Sequence, residues 1–240
     1  MNNRQKEDNL VEKLKDPTEN HSSEISKLID KTIKNKHKVY LMTDWHLWIR
    51  KEKGKSECHK HTNFDKIINN LKKIQPDDLL IYLGDLVDGE FEDKESLKNV
   101  ILPMNFKKIL VIGNNDLFSP NFYKSCGFDY VVRSFVWHDT LFTHMPVKHE
   151  NQINVHGHIH GYKTYWVPYN NHVDVGAFDG RIDPVEMMVV IQSQPKYAKQ
   201  IKECPEHFNE GYIEYPMNIF MAELFDSMNH YLFKEDPYHD

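Results

Sequence analysis

The sequence predicts an α/β layered domain with a mixed sheet system. Three observations carry that prediction. From Lys38 onward, short apolar runs alternate with stretches of helical spacing. Polar clusters sit where several of those runs stop. Two late runs flank a turn-rich segment. Alternating strand and helix signals argue for layers of sheet and helix, and paired late strands argue that the sheets are not purely parallel.

Taken in order, residues 1–36 are rich in Lys, Glu, Asp and Asn, with Val11, Leu14, Ile25, Leu28, Ile29 and Ile33 at helical spacing. One or two amphipathic helices fit this charged extension, and a solvated arm is the preferred reading. The domain proper is expected over 37–200. Its apolar runs are Val39–Met42, Leu79–Leu83, Ile109–Ile112, Tyr130–Val132, Leu141–Phe142 and Ile153–Val155. Between the first two, Phe64, Ile67, Ile68, Leu71 and Ile74 mark one helix face, with Thr62 or Asn63 as its cap. Leu97, Val100 and Ile101 mark a second helix before Pro103. Tyr165–Val167 and Val173–Val175 read as an antiparallel pair around Pro168–Asn171.

Residues 201–240 form an expected amphipathic helical appendage. Met217, Phe220, Met221, Leu224, Phe225, Met228, Tyr231 and Leu232 give it a broad apolar stripe. Basic residues are nearly absent from its polar face, which argues against membrane docking. Packing on the body or on a second copy, as a homodimer, is the expectation.

Composition narrows the function. With 40% hydrophobic and 28% charged residues, the chain can build a core. No apolar run approaches the ~18–20 residues that span a bilayer, and the N-terminus lacks a secretory apolar stretch, so a cytoplasmic location is expected. Cys58, Cys126 and Cys204 are too far apart for a disulfide framework or zinc knuckle. A formal net charge of −6 leaves nucleic acid possible but not favoured as a partner.

The chain has 15 histidines, and their placement matters more than their number. The first run stops at Asp44-Trp45-His46 and the second at Gly84-Asp85. The third stops at Gly113-Asn114-Asn115-Asp116, a later one at His144, and another leads into Gly157-His158-Ile159-His160. In layered α/β domains the carboxyl ends of strands converge on one edge, where ligands bind. Carboxylates, imidazoles and an amide oxygen suit divalent metals without any thiolate. Residues two apart on an extended chain point to one side, so Asp44 and His46 could share an ion. Asp85 could bridge two ions ~3.5–4 Å apart, which would bind phosphate and acidify a water. Glycines 84, 113 and 157 suit tight turns. Each motif alone is weak; their order and placement give the set its force.

As a set, these motifs resemble those of the calcineurin-like metallophosphoesterases: D-x-H, G-D, G-N-H-D/E, a lone H and G-H-x-H. The resemblance covers roughly 38–185. It implies a four-layer αββα sandwich of two mixed sheets. It also implies one metal held by Asp44, His46, Asp85 and His160, and a second held by Asp85, Asn114, His144 and His158. Two divalent ions follow, with Mn first and Fe, Zn, Ni or Mg as alternatives. The implied enzyme is a two-metal hydrolase of a small phosphate ester.

One position departs from the pattern. Asn115 stands where the family has a histidine near the leaving group. An amide donates a hydrogen bond but cannot supply a titrating proton, and general acid catalysis contributes typically ~10²–10⁴-fold. Phosphodiesters with good leaving groups are therefore expected to turn over better than alkyl monoesters. A phosphomonoesterase on a small metabolite, or a metal-binding scaffold with weak activity, is the alternative. The basic segment 50–61 follows the first motif. Within it Arg50 and Lys51 are candidate substrate contacts beside Asn114, and His59 and His61 are candidate acids. His149 is a weaker candidate acid. His156 reads either as a support of the site or as a strand-face residue. Trp45 and Trp48 either stack on a base or pack, with packing preferred.

Overall fold

The computed structural model describes residues 21–47, 64–87, 94–147, 152–160 and 171–194. The first runs become β1 (Val39–Met42), β2 (Leu79–Tyr82) and β3 (Lys107–Val111). β1 and β2 are buried along their whole length. Their side chains alternate between two cores, with Val39, Leu41, Leu79 and Ile81 on one side and Tyr40, Met42, Leu80 and Tyr82 on the other. Both faces are dry, so these strands read as continuous apolar runs rather than alternating ones.

Further strands are β4 (Tyr130–Val132), β5 (Ser134–Trp137), β6 (Thr140–Thr143), β7 (Ile153–His156), β8 (His172–Asp174) and β9 (Val185–Glu186). Among the described residues they form two sheets, ordered β4-β3-β2-β1-β9 and β5-β6-β7-β8. β1 to β4 run parallel, and β9 pairs antiparallel to β1. In the second sheet β5 is antiparallel to β6, while β6, β7 and β8 are parallel. Both sheets are mixed, and the sandwich architecture expected from the motif set is present.

Phe135, Trp137, Phe142, Val155 and Val173 of the second sheet meet Val39, Leu41, Ile81 and Ile109 of the first in the core between them. The outer face of the first sheet is covered by α2 (Phe64–Leu71), α3 (Lys94–Ile101) and α4 (Pro120–Ser125). Ile67, Leu71, Leu97, Ile101 and Tyr123 supply that cover. α4 is the least legible in sequence, and its start is local chemistry. Ser119 caps it by accepting from the Phe122 N–H, and Pro120 opens it.

The solvated-arm expectation is overturned for the latter part of residues 1–36. Ser22–Lys34 is a helix, α1, with Ile25 and Ile29 completely buried in the inter-sheet core. Burying each such side chain is worth ~1.5–3 kcal/mol, more than an arm of fluctuating helix could forgo. Two polar ties fix its register: the Ser26 hydroxyl donates to the Val136 carbonyl at 2.9 Å, and Asp30 accepts from Trp137 Nε1 at 2.9 Å. A last helical segment, 187–194, adds Met187 and Val190 to the same core.

The second strand of the late pair needs a correction in its extent. β8 stops at Asp174 and is hydrogen-bonded in parallel to β7. The Asp174 carboxylate accepts the Gly176 N–H at 2.8 Å, which turns Val175–Phe178 into a 3₁₀ helix instead of continuing the strand. Among the described residues the antiparallel pairings are β5 with β6 and β9 with β1, and β9 is too short to stand out as a run. Tyr165–Val167, the expected cap at Thr62 or Asn63, and residues 201–240 lie outside the described residues. No described helix is long and apolar enough to cross a membrane.

Candidate metal centre

The carboxyl ends of β1, β2 and β3 deliver Asp44 with His46, Asp85, and Asn114 to Asp116. Those of β6 and β7 deliver His144, then His158 with His160. The loops are stitched to one another within and across the sheets. His158 N–H donates to both Asp44 carboxylate oxygens at 3.1 and 3.0 Å, Gly157 N–H to the His144 carbonyl at 2.9 Å, and Thr43 N–H to the Gly180 carbonyl at 3.0 Å. Within the first sheet, Asp44 N–H donates to the Gly84 carbonyl and His46 N–H to the Asp85 carbonyl, both at 2.9 Å.

Two groups of side chains result, and each could hold a metal ion: Asp44, His46 and His160, and Asp85, His144 and His158. In the first, His46 Nε2 and His160 Nε2 lie 3.0 Å apart, at 3.9 and 3.5 Å from Asp44 Oδ1. In the second, His144 Nε2 lies 3.3 Å from Asp85 Oδ1, 3.0 Å from Asn114 Oδ1 and 3.3 Å from His158 Nδ1. Asp85 joins the groups, because its Oδ2 is 3.6 Å from His46 Nε2. Asp44, His46, Asp85 and His144 are all nearly or fully buried.

How Asp44 and His46 come to the same side differs from the expectation of an extended chain. Asp44, His46, Asp85, His158 and His160 all have left-handed backbones, with φ of 53°, 47°, 56°, 68° and 58°. Each turns the chain sharply, so the side chains are aimed by loop geometry and not by strand alternation. Left-handed φ costs an L-residue ~1–2 kcal/mol, least for Asp, Asn and His, and such strain clusters at functional sites. Gly84 shows how close the backbones come. Its φ is +83°, and a Cβ there would lie 2.5 Å from His144 Nδ1.

The donor set fits divalent cations. His144 Nδ1 is 2.7 Å from the Leu83 carbonyl, which can only accept, so Nδ1 carries a proton and Nε2 points inward. Nε2 faces Asp85 Oδ1 and Asn114 Oδ1, both acceptors. Converging acceptors in a buried site need a positive charge among them, which a bound cation supplies or, without one, the protonated ring. The electrostatics agree. Burial lowers the His144 pKa, but the Asp85 charge and hydrogen bond, with Asp44, overcome it and push the ring up to about 10. Burial would raise both carboxyls. For Asp85 the charges of His144, His46 and His158 outweigh it and hold the pKa well below the carboxylate range; for Asp44 the His160 hydrogen bond and nearby histidine charges leave it lowered. His158 moves the other way, down to about 4, through burial and the His144 charge.

The model of the calcineurin-like phosphoesterase family matches residues 37–214. The chain belongs to that family. Its members generally use divalent metals, and the two side-chain groups supply sites for them. Family and residues together support metal-dependent hydrolysis of a phosphoester. No curated protein matches. Among solved structures, a protein of unknown function from Aquifex aeolicus is similar at 19% identity and TM-score 0.44, over 65% of this phosphoesterase and 98% of that chain. The nuclease MPE of Pseudomonas putida is similar at 22% identity and TM-score 0.37, over 51% and 60%. Neither likeness bears on the substrate.

The remaining expected residues separate clearly. Asn115 does not extend away from the centre: its side-chain amide donates to Asp85 Oδ2 at 2.8 Å. Trp45 is buried against Tyr82 in the outer core, so it packs. His156 is a buried strand residue stacked on His172, with Nδ1 2.8 Å from the Gly157 carbonyl. Burial and His172 push it down to about 3. Trp48, Arg50, Lys51, His59, His61 and His149 lie outside the described residues.

Asp116, which closes the third motif, is a support of the site, and two further supports, Tyr82 and Arg181, escaped the sequence reading. Asp116 accepts from four backbone N–H groups on two loops, those of Asp85, Leu86, Val87 and Gly113, at 2.8 to 3.3 Å. The Tyr82 hydroxyl accepts from Trp45 N–H at 2.6 Å and lies 3.4 Å from the Asp85 carbonyl. Arg181 Nε donates to the Asp44 carbonyl at 3.4 Å. The Asp179-Gly180 turn signal beside Arg181 was the one local hint.

Proposed function

We propose that this phosphoesterase hydrolyses phosphate esters with a water activated by two divalent cations, and that it leans to phosphodiesters. The division of Asp85 carries the two-ion reading: Oδ1 faces His144 in one group and Oδ2 faces His46 in the other. In this reading Asp44, His46, Asp85 and His160 hold one ion, and Asp85, Asn114, His144 and His158 hold the second, with manganese the first choice. Such a pair supplies Lewis acidity toward the phosphate and a water acidified toward neutral pH.

The chain's own residues do the rest. Asp85 stays ionised at the centre and keeps the two groups in register. His144, held by the Leu83 carbonyl, keeps Nε2 aimed inward. Asn114 brings an amide to the second group, where a phosphate oxygen would also lie. Arg50 and Lys51 would draw an anionic ester to the edge of the site.

The diester preference rests on Asn115, whose amide has no titrating proton. Poor leaving groups then depend on another acid, for which His59 and His61 are the candidates.

Purified protein stripped with a chelator and reloaded with Mn²⁺ tests the reading. Two ions per chain are expected, with faster release of nitrophenol from bis-(4-nitrophenyl) phosphate than of phosphate from serine or sugar phosphates. Fast monoester cleavage without diester cleavage would make it a small-metabolite phosphatase. Two ions without turnover of either class would make it a metal-binding scaffold.

A further inference from the structure

Resting on that two-ion reading, we infer that Asn115 is a positioning residue that sets the orientation of the Asp85 carboxylate, and that it acts on the metal centre through Asp85 and not by meeting the leaving group. Asn115 makes two hydrogen bonds to Asp85, one to each oxygen. Its backbone N–H donates to Oδ1 at 2.9 Å and its side-chain amide donates to Oδ2 at 2.8 Å. Reversing the amide would set its oxygen against a carboxylate held ionised, so the donor faces inward.

Two donors on two oxygens fix the rotation of the carboxylate about its Cβ–Cγ bond. That rotation decides whether Asp85 presents one oxygen to each group or both to one. With the clamp, Oδ1 stays on the His144 side and Oδ2 on the His46 side. The clamp suits the chain's departure from its family. An asparagine on this short loop reaches Asp85 from the same residue whose backbone N–H already grips it. Partners of metal-ligating side chains of this kind are worth ~10–100-fold in metal affinity.

The test uses the full chain, Mn²⁺ and two variants, Asn115→Leu and Asn115→Ala. Leucine matches the size of asparagine without its donors, and alanine removes the side chain. Far-UV circular dichroism in chelator reports whether each folds, and calorimetric titration reads Mn²⁺ affinity. Both variants are expected to bind Mn²⁺ about 10–100-fold more weakly than the original chain. At saturating Mn²⁺, the dependence of rate on leaving-group pKa, across a series of aryl phosphodiesters, is expected to keep its slope. Unchanged Mn²⁺ affinity in both variants would overturn the inference and leave the two-ion reading intact. A slope that steepens in the variants would also overturn it, because it would place Asn115 at the leaving group. Failure of the original chain to bind Mn²⁺ would remove the two-ion reading and this inference together.

Discussion

The Asp116 carboxylate accepts the Asp85 backbone N–H at 2.8 Å, so one buried acid holds another's main chain in place. The same carboxylate takes the N–H groups of Leu86, Val87 and Gly113. The loop after β2 is thereby fastened to the loop after β3. Burial and the Asp85 charge push its pKa up to about 7, against the donors, which favour the anion.

Asp116→Ala would leave up to four buried donors without that acceptor, at ~1–3 kcal/mol for each one that finds no substitute. A loss of several kcal/mol in urea denaturation is expected, with weakened Mn²⁺ binding. Asp116→Asn keeps one acceptor oxygen and should fall between. Stability within 0.5 kcal/mol of the original chain would show that the two loops hold without this clamp.

Gly157 and Thr43 touch across the two sheets. A Cβ on Gly157 would lie 1.8 Å from Thr43 Oγ1 and 2.9 Å from Asp44 Oδ2. Gly157→Ala should therefore push the β1 and β7 ends apart, costing at least the ~1–3 kcal/mol typical of overpacking. Adding Thr43→Ala removes the nearest clash, so the double variant is expected to be more stable than Gly157→Ala alone. Strictly additive losses in a double-mutant cycle would rule out this contact as the cause.

α1 lies wholly outside the stretch matched to the family, yet Ile25 and Ile29 are fully buried. Ile29→Ala is expected to cost ~2–5 kcal/mol, and Lys27→Ala, on the exposed side, less than about 0.5 kcal/mol. Chemical denaturation of the two variants reads the contrast. Equal, small effects would mean the helix is dispensable to the core.

His144 gives the metal-free protein a pH dependence. Its folded pKa, pushed up to about 10, lies above the ordinary histidine value of 6.5. A raised folded pKa means stability fully present below about pH 6.5 and lost as pH rises toward about 10. The slope from this one proton is at most about 1.4 kcal/mol per pH unit. Thermal melts in chelator from pH 7 to 9 should show it, and His144→Gln should flatten it. An equal slope in that variant would assign the proton elsewhere.

Much of this phosphoesterase is legible in one dimension. Val39–Met42 and Leu79–Tyr82 announce themselves because both faces of each strand are buried and tolerate no polar residue. The candidate ligands Asp44, His46, Asp85, His144, His158 and His160 announce themselves because each lies at or just beyond the end of an apolar run and has a side chain suited to metal binding. Such signals are local, and sequence records local chemistry directly. Tertiary structure alone decided that α1 docks, that β9 pairs with β1, that Asp44 and His46 are aimed by left-handed turns, and that Asn115 grips Asp85. Each depends on partners 30 or more residues away, with energies set by how closely two distant loops approach.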